Sequence, residues 1–379
     1  MPLKGKGTLK IMPYWLRSPQ FEAECSICHK TSPLIASTIG TCVDCIRKHP
    51  AEILPGLKEV QAETRHQFDL PQAPPHDPDG VHCPLCVNDC RIPKGQRGFC
   101  GLRENQQGKL VHLAGTPSKG ILHWYYDPLP TNCVADWVCE GHTQYGHVNL
   151  AVFYGACSFN CLFCQNWHFR KDVYSGRKTT AEQLADCADD KTSCICYFGG
   201  DPTPQIHHAI AASEAGLEKN KGRILRICWE TNGAMNPSLL KKVADLSLKS
   251  GGCIKFDLKA FDENLSIALC GVTNRRTLEN FEMLSEIAKS RPDPPLLIAS
   301  TLLVPGYVDS EEVSKIAGFI ASLDKDIPYA LLGFHPQFYM SDLPVTSRRD
   351  AEECETAARK AGLNNVRIGN IHLLGNAYR

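Results

Sequence analysis

From residue 148 onward, six short apolar runs alternate with stretches of helical pattern. The runs cover residues 148–154, 194–198, 224–229, 253–258, 296–303 and 329–334. Between the last two runs, Val313, Ile316 and Ile320 recur at helical spacing. Strands that alternate with helices predict parallel strands joined by right-handed crossovers. We therefore predict an α/β fold, an open or partial (β/α)6 barrel, with functional residues at the carboxyl ends of its strands.

Three cysteines directly follow the first predicted strand. Cys157, Cys161 and Cys164 have the spacing C-x3-C-x2-C, which places them on one loop at the strand's carboxyl end. Three thiolates on a tight loop can hold three irons of a [4Fe–4S] cluster, whose usual complement is four cysteines. The fourth iron then keeps an open position, as catalytic metal sites do. The structural alternative is three core cysteines, since free cysteine is commonly buried.

Two further cysteine sets precede the predicted barrel. The first has two C-x2-C pairs and predicts a closed tetrahedral site for zinc or a single iron, with free thiols on turns as the alternative. It comprises Cys25, Cys28, Cys42 and Cys45. The second has the spacing C-x2-C-x3-C-x9-C and suits either zinc or an auxiliary iron–sulfur cluster. It comprises Cys83, Cys86, Cys90 and Cys100.

These sets divide the chain into three predicted regions. Residues 1–70 form a zinc-ribbon-like region, residues 71–147 a second Cys-rich region that opens with a Pro-rich linker, and residues 148–379 the barrel. Within the second region, Cys133 and Cys139 fit core packing or a metal site equally well. We expect the N-terminal Cys-rich part to bind metal.

Composition narrows the class of function. The chain has 20 cysteines and no signal-peptide pattern, which indicates metal-bound thiolates in a reducing cytoplasm. The 41 basic residues balance the 41 acidic residues, so charge gives no reason to expect a nucleic-acid partner. No apolar run approaches the ~18 residues of a membrane span. We therefore expect a cytoplasmic protein that contacts neither nucleic acid nor membrane.

Polar and glycine-rich turns follow the later strands. The glycines allow backbone to approach a ligand closely, the carboxylates and hydroxyl suit a hard cation, and the lysine suits a carboxylate or ribose. The set comprises Gly199, Gly200, Asp201, Glu230, Thr231, Asn232, Asp257, Lys259 and His335.

Taken together, these motifs resemble those of radical SAM enzymes, specifically the pyruvate formate-lyase activating enzyme branch. C-x3-C-x2-C with an aromatic residue, here Phe163, before the last cysteine is the signature of that superfamily. The turns of residues 199–201, 230–233, 257–259 and 304–306 match the branch in order. Residues 83–100 and 161–167 also look like the radical SAM member of the AmmeMemoRadiSam group. Two positions depart from the pattern, since Asp201 stands where the family usually has Glu, and Glu230 where it has Asp.

The resemblance implies a [4Fe–4S] cluster on Cys157, Cys161 and Cys164, whose open iron chelates S-adenosylmethionine (SAM). Residues 199–201 would line the methionine end of SAM and Phe163 would pack near its adenine. The other implied cofactor contacts are Asn232, Lys259 and His335. The residues that fall where the branch binds a monovalent cation are Glu230, Thr231 and Asp257.

The implied reaction is that of an oxidoreductase. One electron cleaves SAM to methionine and a 5′-deoxyadenosyl radical, which abstracts hydrogen from a protein or small molecule; activation of a glycyl-radical enzyme is one form of this reaction. We expect a reductant such as flavodoxin or ferredoxin, and a protein substrate is compatible. The alternative is an iron–sulfur electron carrier or a metal-dependent docking scaffold without chemistry of its own. That alternative explains the cysteines but not the strand-end turns.

Overall fold

The computed structural model describes residues 22–131, 133–376 and 378, so residues 1–21 of the first predicted region lie outside the described residues. The Cys-rich part consists of small elements in which β1 pairs with β2, β3 with β4 and β5 with β6, all antiparallel. These elements are β1 (Ala23–Glu24), β2 (Thr31–Ser32), α1 (Val43–Lys48), α2 (Pro50–His66), β3 (Val81–His82), β4 (Arg91–Ile92), β5 (Arg103–Gln106) and β6 (Lys109–His112).

The rest of the chain is organised around one sheet, which has nine strands within the described residues. In chain order, these strands are β7 (Gly120–Pro128), β8 (Val148–Tyr154), β9 (Lys178–Thr179), β10 (Thr192–Gly199), β11 (Arg226–Thr231), β12 (Ile254–Asp257), β13 (Leu297–Leu303), β14 (Tyr329–Gly333) and β15 (Val366–Gly369). Their order across the sheet is β15-β14-β13-β12-β11-β10-β8-β7-β9. The helices between them are α3 (Phe169–Asp172), α4 (Ala181–Ala185), α5 (Ile206–Lys219), α6 (Pro237–Ser250), α7 (Glu263–Cys270), α8 (Arg275–Ala288), α9 (Ser310–Leu323) and α10 (Arg348–Lys360).

This topology confirms the predicted α/β fold. The six predicted runs are β8 and β10 to β14, and each is parallel to its neighbour. Three strands extend the six: β15 adds a seventh parallel strand at one edge, and on the other side β7 pairs antiparallel with β8, followed by the short edge strand β9, which pairs antiparallel with β7. Because β7 lies in the predicted second region, that region contributes to the barrel sheet. The three-region division otherwise stays a prediction.

Local sequence explains where the crossover helices begin and end. α6 is a clear case: the Asn236 side chain accepts from Ser238 N (2.9 Å), and Pro237 occupies the first turn. The helix ends at Gly251, whose φ of 73° is the left-handed conformation that glycine adopts without strain. Within the described residues, no helix combines the length and apolar character needed to cross a bilayer.

The two faces of the central strands differ in chemistry. Tyr197 and Trp229 face the helices, because their polar atoms hydrogen-bond Ser213 of α5 (2.9 Å) and Ser247 of α6 (3.1 Å). Side chains alternate along a strand, so the intervening residues face the barrel interior. On β10 and β11, the interior face therefore carries the cysteines Cys194, Cys196 and Cys228, where barrels typically have branched aliphatic residues.

The Cys-rich part packs directly on the barrel. The Tyr307 hydroxyl accepts from Ala36 N (3.0 Å), and Arg47 pairs with the buried carboxylate of Glu312 (2.6 Å). α2 packs against α7 and carries polar side chains to the loop after β8. The N-terminal region thus forms part of the wall around that loop.

Candidate functional site

The loop after β8 lines a cavity of about 230 Å³ at the carboxyl ends of the strands. Cys157, Cys161 and Cys164 all reach this cavity. Burial raises the pKa of Cys157 and Cys164, so their thiolates need a positively charged partner. The structure brings nearly all the predicted site residues to the same cavity: Phe163, Gly199, Gly200, Asp201, Glu230, Thr231, Asn232, Asp257 and Lys259.

Three asparagines fix the shape of the cysteine loop. Asn160 donates to Gln61 Oε1 (2.6 Å) and Thr64 Oγ1 (2.7 Å) of α2. Asn88 and Asn232 both bind Ser158: Asn88 donates to its carbonyl oxygen (2.7 Å), and Asn232 donates to its hydroxyl (2.9 Å). The loop is therefore held from both N-terminal regions and from β11. Asn88 and Asn160 were not predicted from the sequence, because their only signal is a polar residue inside a Cys motif.

Asp201 joins two of the cavity loops. Its buried carboxylate accepts from Thr203 N (2.9 Å), Thr231 Oγ1 (2.9 Å) and Asn232 N (3.0 Å). Burial raises the pKa of this carboxyl group, and the hydrogen bonds oppose that rise. Both carboxylate oxygens are thus used to hold protein groups. Asp201 lines the cavity, and its hydrogen bonds connect the turn after β10 to the turn after β11.

The two glycines before Asp201 are required by close backbone approach. Gly199 has a φ of 100°, a conformation that residues with a side chain rarely adopt. A Cβ at Gly200 would overlap the carbonyl oxygen of Ala156, in the loop that carries the cysteines. The turn after β10 therefore lies directly against the turn after β8, with its backbone facing the cavity.

Charged side chains form pairs around the cavity. Lys259 pairs with Asp257, and Lys255 pairs with Glu230 (2.9 Å). The Lys259 ammonium also lies 5.6 Å from the ring centroid of Phe163. Although burial alone would lower the pKa of Lys259, the carboxylate of Asp257 raises it, so the lysine stays charged. The three predicted cation ligands thus surround one cavity, each with a protein partner, and the cation itself stays a prediction.

Arg170 is a buried cation that the sequence analysis missed. Its side chain is about 2% exposed, lines the cavity and donates from Nη2 to Asn160 Oδ1 (3.2 Å). Its Nε and Nη1 atoms have no hydrogen-bond partner in the structure. Buried donors normally find acceptors. Two unpartnered guanidinium nitrogens beside Cys164 therefore fit an anionic group in the cavity.

His335 lies in a different place from the other predicted residues. It lines a neighbouring groove together with Trp167, Phe338 and Tyr339. β14 contributes Leu332 to the wall of the cysteine cavity, whereas His335, two residues beyond the end of the strand, does not line that cavity. The predicted contact between His335 and the cofactor stays a prediction.

The two N-terminal cysteine sets differ in geometry. The sulfur atoms of Cys25, Cys28, Cys42 and Cys45 all lie within 4.8 Å of one another, and among the described residues this is the one His, Cys, Asp or Glu group so compact. A tetrahedral zinc with Zn–S bonds of about 2.3 Å separates its sulfurs by about 3.8 Å. The first set therefore has the spacing of a single-ion site. Backbone N–H groups outweigh burial and lower the pKa of Cys25 to about 6.

The second set surrounds an enclosed cavity together with the buried side chain of Arg103. Its four sulfurs exceed the compact spacing of the first set. Arg65 donates to the carbonyl oxygen of Phe99, the residue before Cys100. Burial and the charge of Arg170 lower the pKa of Arg65 to about 9, although Cys100 and Cys157 are near enough to oppose that shift. Wider spacing beside a buried cation favours the cluster alternative over zinc, and the metal stays a prediction.

Comparison with known proteins agrees with this geometry. Residues 151–320 match the family described as the radical SAM superfamily. A protein of Methanocaldococcus jannaschii, provisionally named a glycyl-radical enzyme activating enzyme, is 31% identical over 194 residues, which are 50% of this chain and 69% of that protein. The chain belongs to the radical SAM superfamily.

Two other relatives extend the comparison for this radical SAM protein. An uncharacterized protein of M. jannaschii is 27% identical over 312 residues, covering 78% of this chain and 83% of that protein. Pyruvate formate-lyase 1-activating enzyme of Escherichia coli (strain K12) is 25% identical over 211 residues, covering 52% and 79% of the two chains. The chain is therefore similar to pyruvate formate-lyase activating enzymes, as the motifs predict. The relatives do not favour the scaffold alternative.

Membership implies a [4Fe–4S] cluster and SAM, and the residues present fit both. Three thiols converge on a cavity whose wall includes the unpartnered nitrogens of Arg170, which suits an anionic thiolate cluster. The cavity also offers glycine backbone and the Asp257 Oδ1 atom, which has no hydrogen-bond partner in the structure. These groups can receive the amino and carboxylate ends of an amino acid.

Proposed function

We propose that this chain cleaves SAM reductively and uses the resulting radical to take a hydrogen atom from a protein substrate, as the activating enzyme of a glycyl-radical enzyme. The observation that carries the proposal is the single cavity into which three cysteines and the turns after β10, β11 and β12 all open. The names of two relatives support a protein substrate, because one is named pyruvate formate-lyase 1-activating enzyme and the other is provisionally named a glycyl-radical enzyme activating enzyme. An electron carrier would not need a ligand cavity beside its cysteines.

We propose that Cys157, Cys161 and Cys164 hold the [4Fe–4S] cluster. When bound, the cluster supplies one electron and an open iron for reductive cleavage of SAM to methionine and a 5′-deoxyadenosyl radical. Around it, Arg170 offsets the negative charge next to Cys164, whose pKa this guanidinium lowers against the effect of burial. The asparagine contacts keep the three thiols aimed at one point, which a chelating loop requires.

The neighbouring turns would bind and orient SAM. Gly199 and Gly200 present backbone to its amino-acid end, because no Cβ separates that backbone from the cavity. Asp201 acts as a positioning residue that joins the two turns. Lys259 and Phe163 form a charged and an aromatic wall suited to a carboxylate or ribose and to adenine. Asn232 closes the side next to Cys157.

The second cysteine set would serve as an entry point for electrons. Asn88, which lies between Cys86 and Cys90, binds the carbonyl of Ser158 in the cluster loop. Buried Arg65 is near both Cys100 and Cys157. A low-potential donor such as flavodoxin or ferredoxin would then reduce the radical SAM cluster through this set. The monovalent cation proposed for residues 230, 231 and 257 would neutralise the carboxylates facing SAM.

The test is SAM cleavage by anaerobically reconstituted full-length protein. With dithionite and SAM, we expect 5′-deoxyadenosine from the wild-type chain and none from Cys161→Ala. Cys354→Ala is the matched control, because it removes a buried thiol from α10, distant from the cavity, and should retain the product. An intact cluster without 5′-deoxyadenosine would contradict the proposal and favour an electron carrier.

A second measurement tests the activating role. A glycyl radical formed on an added partner protein gives a doublet in electron paramagnetic resonance. We expect that doublet when the chain, SAM and reductant are mixed with a glycyl-radical enzyme from the same genome. If 5′-deoxyadenosine forms but the partner never gains a radical, SAM cleavage stands and the activating role is wrong.

A further inference from the structure

A fourth group of cysteines lies inside the barrel, next to the cavity but outside the sites described so far. Four members come from β10, β11 and the residue before β12, and two come from the segment before β8. We refer to them as the barrel thiols: Cys133, Cys139, Cys194, Cys196, Cys228 and Cys253. Together with Ala135 and Ile298, several of them form a core cluster separate from the main core.

Strand register places three of these thiols side by side. Cys196 is the direct partner of Cys228 across β10 and β11, and Trp229 is the partner of Ile254 across β11 and β12. Cys253 is therefore next to Cys228, and their sulfur atoms are 3.9 Å apart. Barrel interiors are normally filled by Val, Ile and Leu in layers. Here three adjacent strands instead offer sulfur at one level.

The remaining thiols close the group from both sides. Cys194 lies two residues before Cys196 on β10, so both side chains share the interior face. A Cβ at Gly141 would lie 3.4 Å from Cys139 Sγ and 3.6 Å from Cys194 Sγ, so the segment before β8 brings its own sulfur next to the strand. The six thiols therefore come from four separate stretches of chain, which is typical of a built site.

Lys255 supplies a positive charge next to two members of this group, Cys133 and Cys196. The residue is about 1% exposed, and its ammonium lies 3.0 Å from Cys133 Sγ, 3.1 Å from Cys196 Sγ and 2.9 Å from Glu230 Oε1. A buried ammonium is unfavourable unless anions surround it. Neutral thiols are weak acceptors, whereas metal-bound thiolates are anionic. The surroundings of Lys255 are those expected beside thiolate ligands.

The spacing of these thiols does not match a single tetrahedral ion. Among the described residues, only the N-terminal set of four cysteines has three or more ligand atoms within 4.8 Å of one another. The barrel thiols are therefore too widely spread for one tetrahedral ion, and a polynuclear cluster takes its thiolates on different irons. We propose that the barrel thiols bind a further iron–sulfur cluster inside the barrel, with Cys228 and Cys253 at the centre of its ligand set. Soft thiolate ligands select this class of cofactor.

The barrel thiols lie next to the SAM cavity. Glu230 and Lys255 line the cavity of Cys157, Cys161 and Cys164, and the same lysine contacts Cys133 and Cys196. One ion pair therefore separates the SAM cavity from the barrel thiols. A cluster there would lie next to the cavity, with Glu230 and Lys255 between them.

The test compares metal content in two double variants of the full-length chain. After anaerobic reconstitution with iron and sulfide, Cys228→Ala/Cys253→Ala should lose about two to four irons per chain relative to wild type, the content of a [2Fe–2S] or [4Fe–4S] cluster. The control Cys187→Ala/Cys354→Ala removes two thiols outside the group and should lose none. Loss of zinc in place of iron, or equal iron in both variants, overturns the proposal.

A second double variant serves if the first one fails to fold. If circular dichroism shows that Cys228→Ala/Cys253→Ala is unfolded, the metal content of Cys133→Ala/Cys139→Ala is the test, since this variant removes thiols from the segment before β8 and changes no strand residue. Iron loss from that variant supports the cluster, and retention refutes it. The result is independent of the proposed enzymatic activity, because Cys161→Ala should abolish 5′-deoxyadenosine formation and still retain the iron bound by the barrel thiols.

Discussion

Replacing Asp201 with asparagine would remove an acceptor that two cavity loops share. Asparagine has nearly the same shape but offers one oxygen and one NH2 group. In the wild-type chain Oδ1 serves Thr231 and Asn232, and Oδ2 serves Thr203 N. The best asparagine orientation therefore keeps the oxygen on the first two residues and turns its NH2 toward the Thr203 N–H. Two donors then face each other.

The size of the effect follows from burial. Residue 201 is about 3% exposed, so water cannot replace the lost acceptor. A buried donor left without an acceptor costs about 1–3 kcal/mol, and we expect Asp201→Asn to lower the free energy of unfolding by about that amount. In domains of 150–250 residues, each kcal/mol lost from the free energy of unfolding lowers Tm by about 2–4 °C. Because the two turns line the cavity, SAM should also bind more weakly.

Thermal melts of the full chain, followed by circular dichroism, would measure this effect. Asp245→Asn is the matched control, because Asp245 is exposed on α6. Isothermal titration with SAM gives the second readout. If Asp201→Asn and Asp245→Asn melt together and bind SAM equally, the carboxylate does not hold the two turns and the assigned positioning role is wrong.

Glycine, histidine and cysteine positions give further tests. Gly200→Ala should destabilise the chain, because the added Cβ overlaps the Ala156 carbonyl oxygen. Gly56 lies in α2 with open space around it, so Gly56→Ala should stabilise the chain by about 0.5–1 kcal/mol. Thermal melts of both variants check the pair, and a change in Tm of the same sign in both would contradict the prediction. Burial lowers the pKa of His208 to about 4. Since the unfolded chain binds the extra proton below about pH 6.5, stability should fall as pH drops from 6.5 to 4, by about 3 kcal/mol in all, and His208→Gln should flatten that slope in melts across the window. Cys45→Ala should release one ion per chain, counted by elemental analysis, and an unchanged count would argue against an N-terminal metal site.

Local pattern was sufficient for most of the fold. A buried parallel strand is a continuous apolar run, and each predicted run is a strand of the sheet. β15 was not predicted because it is only four residues long and includes Arg367. β7 was not predicted because its exposed face carries Trp124 and Tyr126, and its strand identity depends on pairing with β8, a contact between distant parts of the chain.

The site shows the same division between local and distant information. Strand-end turns could be predicted because the carboxyl ends of parallel strands meet at one edge. Asn160 and Arg170 could not, since a single polar residue has no pattern; Asn160 acts through Gln61, which is 99 positions away. Cys196 and Cys228 were predicted only as residues of buried strands, because a cysteine in a strand resembles a small apolar side chain.

The contacts on the loop after β8 have a consequence for how the chain is made. Gln61, Thr64 and Asn88 are translated well before Asn160 and Ser158, which they bind. The partners of the loop are therefore already synthesised when its cysteines leave the ribosome. A chain shortened to begin at residue 148 would keep every cysteine of the loop and lose these three anchors. For this protein, the segment shared with the superfamily therefore does not contain all the contacts that hold its own cysteine loop.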